Sequence, residues 1–325
     1  MAKKRKKTTT EKEDRLAIYT LELDPDQMDK LERLCDQKSY GFYEVAYARF
    51  AFKSVQDRVN LVAYKSGKLV VQGKGTEDFV RDVVEAEVTG NPLLGYEEVH
   101  HPEWYEPHAG LDEAGKGDLF GPLVSACVIA DGDMVREWKK LGIRDSKQMT
   151  DSSVRNLEKA IRKSKGVVVK IGYCGMAKYN QLMGKPGANL NRLLAWLHAR
   201  SLEQALQVRP VPTGLLDQFS KKPLVQGYLK APGFELQMRT HAESDPVVAA
   251  AAICARTEFL RQLKALSDKL GEPLKKGAGA QVKAQAIRIV EKLGPDALGN
   301  FAKLHFRTAS EALGLPVPPK RVWKR

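Results

Sequence analysis

The chain has only four cysteines, Cys35, Cys127, Cys174 and Cys254, and none forms a C-x-x-C pair. Zinc-ligand spacing is absent, and three of the four sit in apolar surroundings. They read as free thiols, mostly buried, in a reducing compartment, which predicts a cytoplasmic protein. No apolar run approaches the roughly 20 residues that span a bilayer, so no membrane association is expected. The N-terminal "MAKKRKKTTTEKED" has no apolar stretch after its charges and is not a secretory signal. Neither G-x-x-x-x-G-K-[ST] nor G-x-G-x-x-G occurs, which argues against a nucleotide cofactor. The six histidines make no metal cluster: His100 and His101 fall in a linker, His198 in a long helix and His241 before a turn. His305 stands either near a site or inside an apolar helix. No Ser-His-Asp or Cys-His arrangement stands out.

What the chain does have is positive charge. Lys and Arg number 53 against 40 acids, a formal net charge of +13. That excess favours a polyanionic partner, nucleic acid first. With 325 residues, 43% of them hydrophobic, the chain can bury one good-sized core and a smaller second one. The basic start, 1–14, reads as a solvated tail. From 15 to 90 the pattern runs strand, capped helix, three antiparallel strands broken near Gln56-Asp57 and Ser66-Gly67, and an amphipathic helix, a small α+β domain. Residues 91–107 are rich in proline and lack a period, and so form a linker. From 108 to 314 strands come first and then alternate with helices, which predicts an α/β domain with a mixed sheet covered on both faces. Residues 315–325 form a second basic tail. Nothing in the pattern calls for a protein partner, and a monomer is expected.

Acids recur where apolar strands give out. Asp112 and Glu113 follow "AGL", Asp217 follows "GLL", and Glu243 lies just past "FELQMRTHA". In open α/β sheets, sites gather at strand ends. Carboxylates converging there need cations, and Mg²⁺ or Mn²⁺ suits oxygen ligands. Two such ions can clamp the attacking and leaving oxygens of a phosphodiester. The plainer alternative is a set of isolated capping acids. Neighbouring strand residues point to opposite faces, so Asp112 and Glu113 are expected to share a site only if the backbone bends between Gly110 and Gly115. In "ESDP", Asp245 precedes Pro246 and reads as a helix N-cap, which leaves Glu243 for the metal, with Asp245 as its rival.

Beside the acids, Gly115, Lys116 and Gly117 offer bare backbone to a sugar and an ammonium to a phosphate; by itself the tripeptide is equally a tight turn. Contact with the 2′-hydroxyl is how a protein tells RNA from DNA. Ser146 and Lys147 are candidates for a phosphate contact. Tyr64, Lys65, Ser66 and Lys68 sit on an exposed hairpin suited to gripping a duplex backbone.

These residues resemble a known family. "LDEAGKGDLFGPLV" is similar to the signature of type 2 ribonucleases H. "YARFAFK…VAYKSGKLVVQGKG", "NLNRLLAWLHARSL", "HAESDPVVAAAAICAR" and "KLHF" narrow the resemblance to the ribonuclease HIII branch, from about residue 15 to 313. It implies a ribonuclease H-like catalytic domain after a domain similar to a TATA-box-binding-protein repeat. It implies endonucleolytic hydrolysis of the RNA strand of RNA/DNA hybrids, leaving 5′-phosphate and 3′-hydroxyl ends. The implied acidic quartet falls on Asp112, Glu113, Asp217 and Glu243, and the implied Gly-Lys-Gly on Gly115, Lys116 and Gly117. There are two departures. The segment after Glu243 is a residue shorter than usual, which keeps Asp245 open, and Ala252 replaces a customary serine. The alternatives are cleavage at single ribonucleotides in DNA, as in ribonuclease HII, and a non-catalytic nucleic-acid-binding protein.

Overall fold

A computed structural model describes residues 18–317, apart from 93, 95 and 144–148. The chain divides into two compact units, the first running through Glu103 and the second opening at Trp104.

In the first unit, β1 (Ile18–Glu22) leads into α1 (Pro25–Gln37). Asp24 and Gln27 close a capping box across the helix start, with bonds of 2.8 and 3.1 Å, and Pro25 occupies the first helical position. There follow β2 (Gly41–Phe42), β3 (Ala48–Ser54), β4 (Val59–Tyr64), β5 (Lys68–Gln72) and α2 (Thr76–Phe79), which continues through Val80–Thr89 in wider turns. The sheet order is β1-β5-β4-β3-β2, antiparallel throughout. Phe50, Phe52, Leu61, Ala63, Leu69 and Val71 alternate into a core with Met28 and Leu31 of α1 and with Val80 and Val84. The alternate residues Lys53, Asn60, Tyr64, Lys68 and Gln72 therefore face the other way. β2 is too short to alternate and was not expected. A helical turn, α3 (Glu97–His100), stands in the stretch read as a linker.

The second unit opens with β6 (His108–Ala114), β7 (Leu123–Ala130), α4 (Gly132–Lys140), α5 (Asp151–Lys163) and β8 (Val168–Cys174). It goes on through α6 (Met176–Met183), α7 (Leu190–Val208), β9 (Thr213–Asp217) and β10 (Glu235–Arg239). It ends with α8 (Pro246–Leu270), α9 (Ala280–Leu293) and α10 (Arg307–Ala312). The strand order is β10-β9-β6-β7-β8. β9 runs parallel to both β6 and β10, while β7 is antiparallel to β6 and β8. This is the mixed α/β sheet the pattern predicted.

Helices cover both faces. Leu111, Cys127 and Ile129 pack with Ala195, Ala199 and Leu202 of α7. Val124, Ala126 and Val128 pack on the other side with Val247, Ala250 and Ala251 of α8. The run of alanines in α8 lets the helix sit hard against the sheet, and Gly110 marks the closest approach. A Cβ there would lie 2.4 Å from the carbonyl carbon of Val247. Backbone cannot yield as a side-chain tip can, so Gly110→Ala is expected to lower stability by about 1–3 kcal/mol. An unchanged urea midpoint would contradict this seating of α8.

Candidate active site

β6 and β9 are parallel neighbours in the register Gly110↔Leu215 and Leu111↔Leu216. One step past the last pair, the register sets Asp112 level with Asp217. Parallel partners point to the same face, and neighbouring strands lie about 4.8 Å apart. Leu215, one alternation before Asp217, packs against Val248 of α8, so both aspartates leave the sheet on the α8 side. Asp112 is buried, and its Oδ1 accepts the Glu113 N–H at 2.7 Å. The Asp217 carboxylate ends its strand and accepts the Ala242 N–H at 3.2 Å. Ala242 opens the short turn Ala242–Ser244 that carries Glu243. Asp217 and Glu243 are thus tied to the same few atoms of backbone.

Asp245 has a different job. Its Oδ1 caps α8, accepting Val247 N–H at 2.7 Å, and its Oδ2 lies 3.0 Å from His108 Nε2. His108 Nδ1 in turn donates to the Glu106 carbonyl at 2.7 Å. Asp245 is buried, and its oxygens are spent on this cap and pair.

The expected bend between Gly110 and Gly115 does not occur. β6 keeps its pairing with β7 from His108↔Ala130 to Ala114↔Val124, because an unbroken antiparallel partner holds it extended. The turn waits for Gly115, whose φ is +83°. Glu113 therefore leaves on the α7 side, opposite Asp112. There Oε2 lies 3.2 Å from Nε2 of the buried His198, and Oε1 accepts from Lys116 Nζ at 3.4 Å. Burial raises the Glu113 pKa, but the His198 hydrogen bond and the neighbouring positive charges outweigh it, so the carboxyl is held below its usual range. The ring of Phe219, two residues past Asp217, stacks on His198 at 5.5 Å and lies 5.3 Å from the Lys116 ammonium.

The two glycines beside Lys116 serve different ends. At Gly115 a Cβ would come within 2.2 Å of the Pro122 carbonyl oxygen, so packing and a positive φ both demand glycine. At Gly117 a Cβ would meet nothing within 4 Å; this backbone faces open space. In the first unit, Tyr64 and Lys68 lie on the sheet face turned from the helices, with Lys65 and Ser66 at the exposed turn between β4 and β5. Ser146 and Lys147 lie outside the described residues. His305 is not inside a helix: it sits in the turn before α10, exposed, with its ring against Tyr179 and Phe306.

A family model described as Ribonuclease HII matches residues 109–309. The ribonuclease HIII of Chlamydia caviae is 36% identical, over 90% of this chain and 96% of its own length. That of Protochlamydia amoebophila is 33% identical, over 92% and 98%. The chain belongs to the ribonuclease HIII family. The crystal structure of Bst-RNase HIII in complex with Mn²⁺ superimposes with a TM-score of 0.61 at 30% identity, covering 92% of this chain and 98% of that one. Like its ribonuclease HIII relatives, the chain is an endoribonuclease that hydrolyses the RNA strand of RNA/DNA hybrids. Against that background His198 and Phe219 were missed in the sequence. His198 had a legible signal: it falls on the buried stripe of α7 with Leu194, Leu202 and Ala205, where a polar ring needs a reason. Phe219 had none.

Proposed function

We propose that hydrolysis takes place at the strand-end acids, with Asp112, Asp217 and Glu243 holding Mg²⁺ or Mn²⁺ from the α8 side and Glu113, the fourth of the quartet, reaching the ions past the end of β6 from the α7 side. What carries this reading is the register of parallel β6 and β9, which sets Asp112 level with Asp217 one step past the last pair, with the Glu243 turn hydrogen-bonded to Asp217. The donors are all carboxylate oxygens, the chemistry hard divalent ions prefer. Among the described residues no three His, Cys, Asp or Glu side chains are gathered closely enough to form an ion site as they stand. The Mn²⁺ complex of the Bst enzyme supports the same choice of ion. When bound, such ions supply Lewis-acid polarisation of the phosphate and activation of water.

The remaining work belongs to the chain. Asp112 and Asp217 present their oxygens side by side, and Glu113 is steadied by His198 and Lys116. The open backbone at Gly117 approaches the ribose 2′-hydroxyl, and Lys116 meets a phosphate. The products carry 5′-phosphate and 3′-hydroxyl ends. Glu243 rather than Asp245 completes the quartet, since Asp245 is engaged by α8 and His108. Residues 15–90 form the substrate-binding domain, similar to a TATA-box-binding-protein repeat, with Tyr64, Lys65, Ser66 and Lys68 on the duplex backbone. Residues 91–107 link it to the catalytic domain, 108–314, where Ser146 and Lys147 add a phosphate contact. The protein acts as a monomer, and it works in the cytoplasm, where reducing conditions suit its four buried free thiols. No helix among the described residues is long and apolar enough to cross a membrane.

The test is cleavage of a labelled hybrid with Mg²⁺, with Mn²⁺ and with EDTA, beside a DNA duplex carrying one ribonucleotide. Hybrid cleavage that needs the ion is expected, with poor cutting of the second duplex. Cleavage persisting in EDTA would sink the metal assignment. Efficient cutting 5′ to the single ribonucleotide would sink the hybrid preference in favour of ribonuclease HII-like behaviour.

A further inference from the structure

Among the described residues Lys303 is the only lysine or arginine with no exposed surface. A buried ammonium is costly unless its protons and charge are answered, and here they are. Nζ donates to the carbonyls of Asp118, at 2.8 Å, and of Gly121. The rings of Tyr179 and Phe306 lie 5.7 and 5.9 Å from it, within cation–π range. Both carbonyls belong to the loop between β6 and β7 that begins with Gly115-Lys116-Gly117.

That loop has an anchored half and a free half. Leu119 N–H donates to the Gly277 carbonyl at 2.8 Å, and Gly277 N–H donates to Asp118 Oδ1 at 2.6 Å. Gly121 N–H donates to Phe301 O at 3.1 Å, and Lys303 N–H to Leu119 O at 2.9 Å. Residues 118–121 are thereby moored, while Gly117 faces open space. The half carrying Gly117 is held at one end by β6 and Gly115 and at the other by this mooring. Lys303 is the one side-chain cation in this mooring, and it grips the loop on both sides of Leu119 and Phe120.

We propose that Lys303 is a positioning residue for hydrolysis, whose buried ammonium sets where Gly115, Lys116 and Gly117 meet the substrate. This rests on the reading above that the glycine loop touches the ribose and phosphate. Burial presses the Lys303 pKa down to about 7, partly countered by the Asp118 charge.

The test uses Lys303→Met in the full chain, with Lys303→Gln, which keeps donors but no charge, read in its place should Met not fold. The backbone bonds of the mooring survive either change, so cooperative unfolding is expected to persist. Misplacement of a contact should lower kcat by about tenfold to a hundredfold, with hybrid affinity in Ca²⁺ within about twofold of wild type. Amide exchange should quicken at 116–118. A kcat per folded molecule within about twofold of wild type would overturn the proposal and leave Lys303 a packing residue. Lys116→Ala and Gly117→Val run alongside. If both cleave at the wild-type rate, the loop does not touch substrate and the underlying reading fails with the proposal. If they lose activity while the Lys303 variants keep it, only the role of Lys303 is lost.

Discussion

Asp112→Asn is expected to abolish hybrid cleavage while leaving hybrid binding intact. Asn fills the same space and can still accept the Glu113 N–H, so the end of β6 keeps its shape. What disappears is one of two negative charges set side by side on β6 and β9. An ion clamp supplies several kcal/mol of transition-state stabilisation, and about 1.4 kcal/mol is a factor of ten. The loss should therefore reach about a thousandfold or more in kcat, in Mg²⁺ and in Mn²⁺ alike. Hybrid binding, followed by anisotropy, depends on the basic surface and should stay close to wild type. A folded variant that keeps even a tenth of the activity would remove Asp112 from the metal site.

A different kind of loss is expected at Asp245. Asp245→Ala takes away the cap of a 25-residue helix and strands the buried His108 ring beside it. Losing a helix cap costs about 1 kcal/mol, and leaving the buried His108 nitrogen without its Asp245 partner costs about 1–3 kcal/mol more. The urea midpoint should fall accordingly. Asp245→Asn keeps the capping oxygen and should fall less. That variant also tests the choice between the two acids. If Glu243 completes the quartet, Asp245→Asn cleaves per folded molecule much as wild type does, and Glu243→Gln does not. The reverse outcome would make Asp245 the fourth ligand.

Much of the fold was legible because the patterns are local. The alternation of β3, β4 and β5, the Asp24 cap, and the Asn189 and Pro246 starts of α7 and α8 are each written within a few residues. Short pieces were missed for the same reason: α4 and α6 have nine and eight residues, too few turns to establish a period amid apolar neighbours. His305 followed an apolar stretch that looked helical, yet the chain turns there to bring Lys303 under the glycine loop. The bend expected at Asp112 and Glu113 failed because a strand's course is set by its partner. β7 pairs with every residue of β6, and only the positive φ of Gly115 ends the run.

The sequence by itself determined that acids end apolar strands in a basic chain, which acid caps the Ala-rich helix, and where glycine bares the backbone. Those are short-range matters of hydrophobic period, capping chemistry and steric freedom. Only the tertiary structure decided that Asp112 stands level with Asp217, that Glu113 turns to His198 and not to its neighbour, and that Lys303 holds a loop 182 residues away. Strand register and helix packing join distant parts of the chain. They follow from how whole faces fit together, which no single stretch of residues carries.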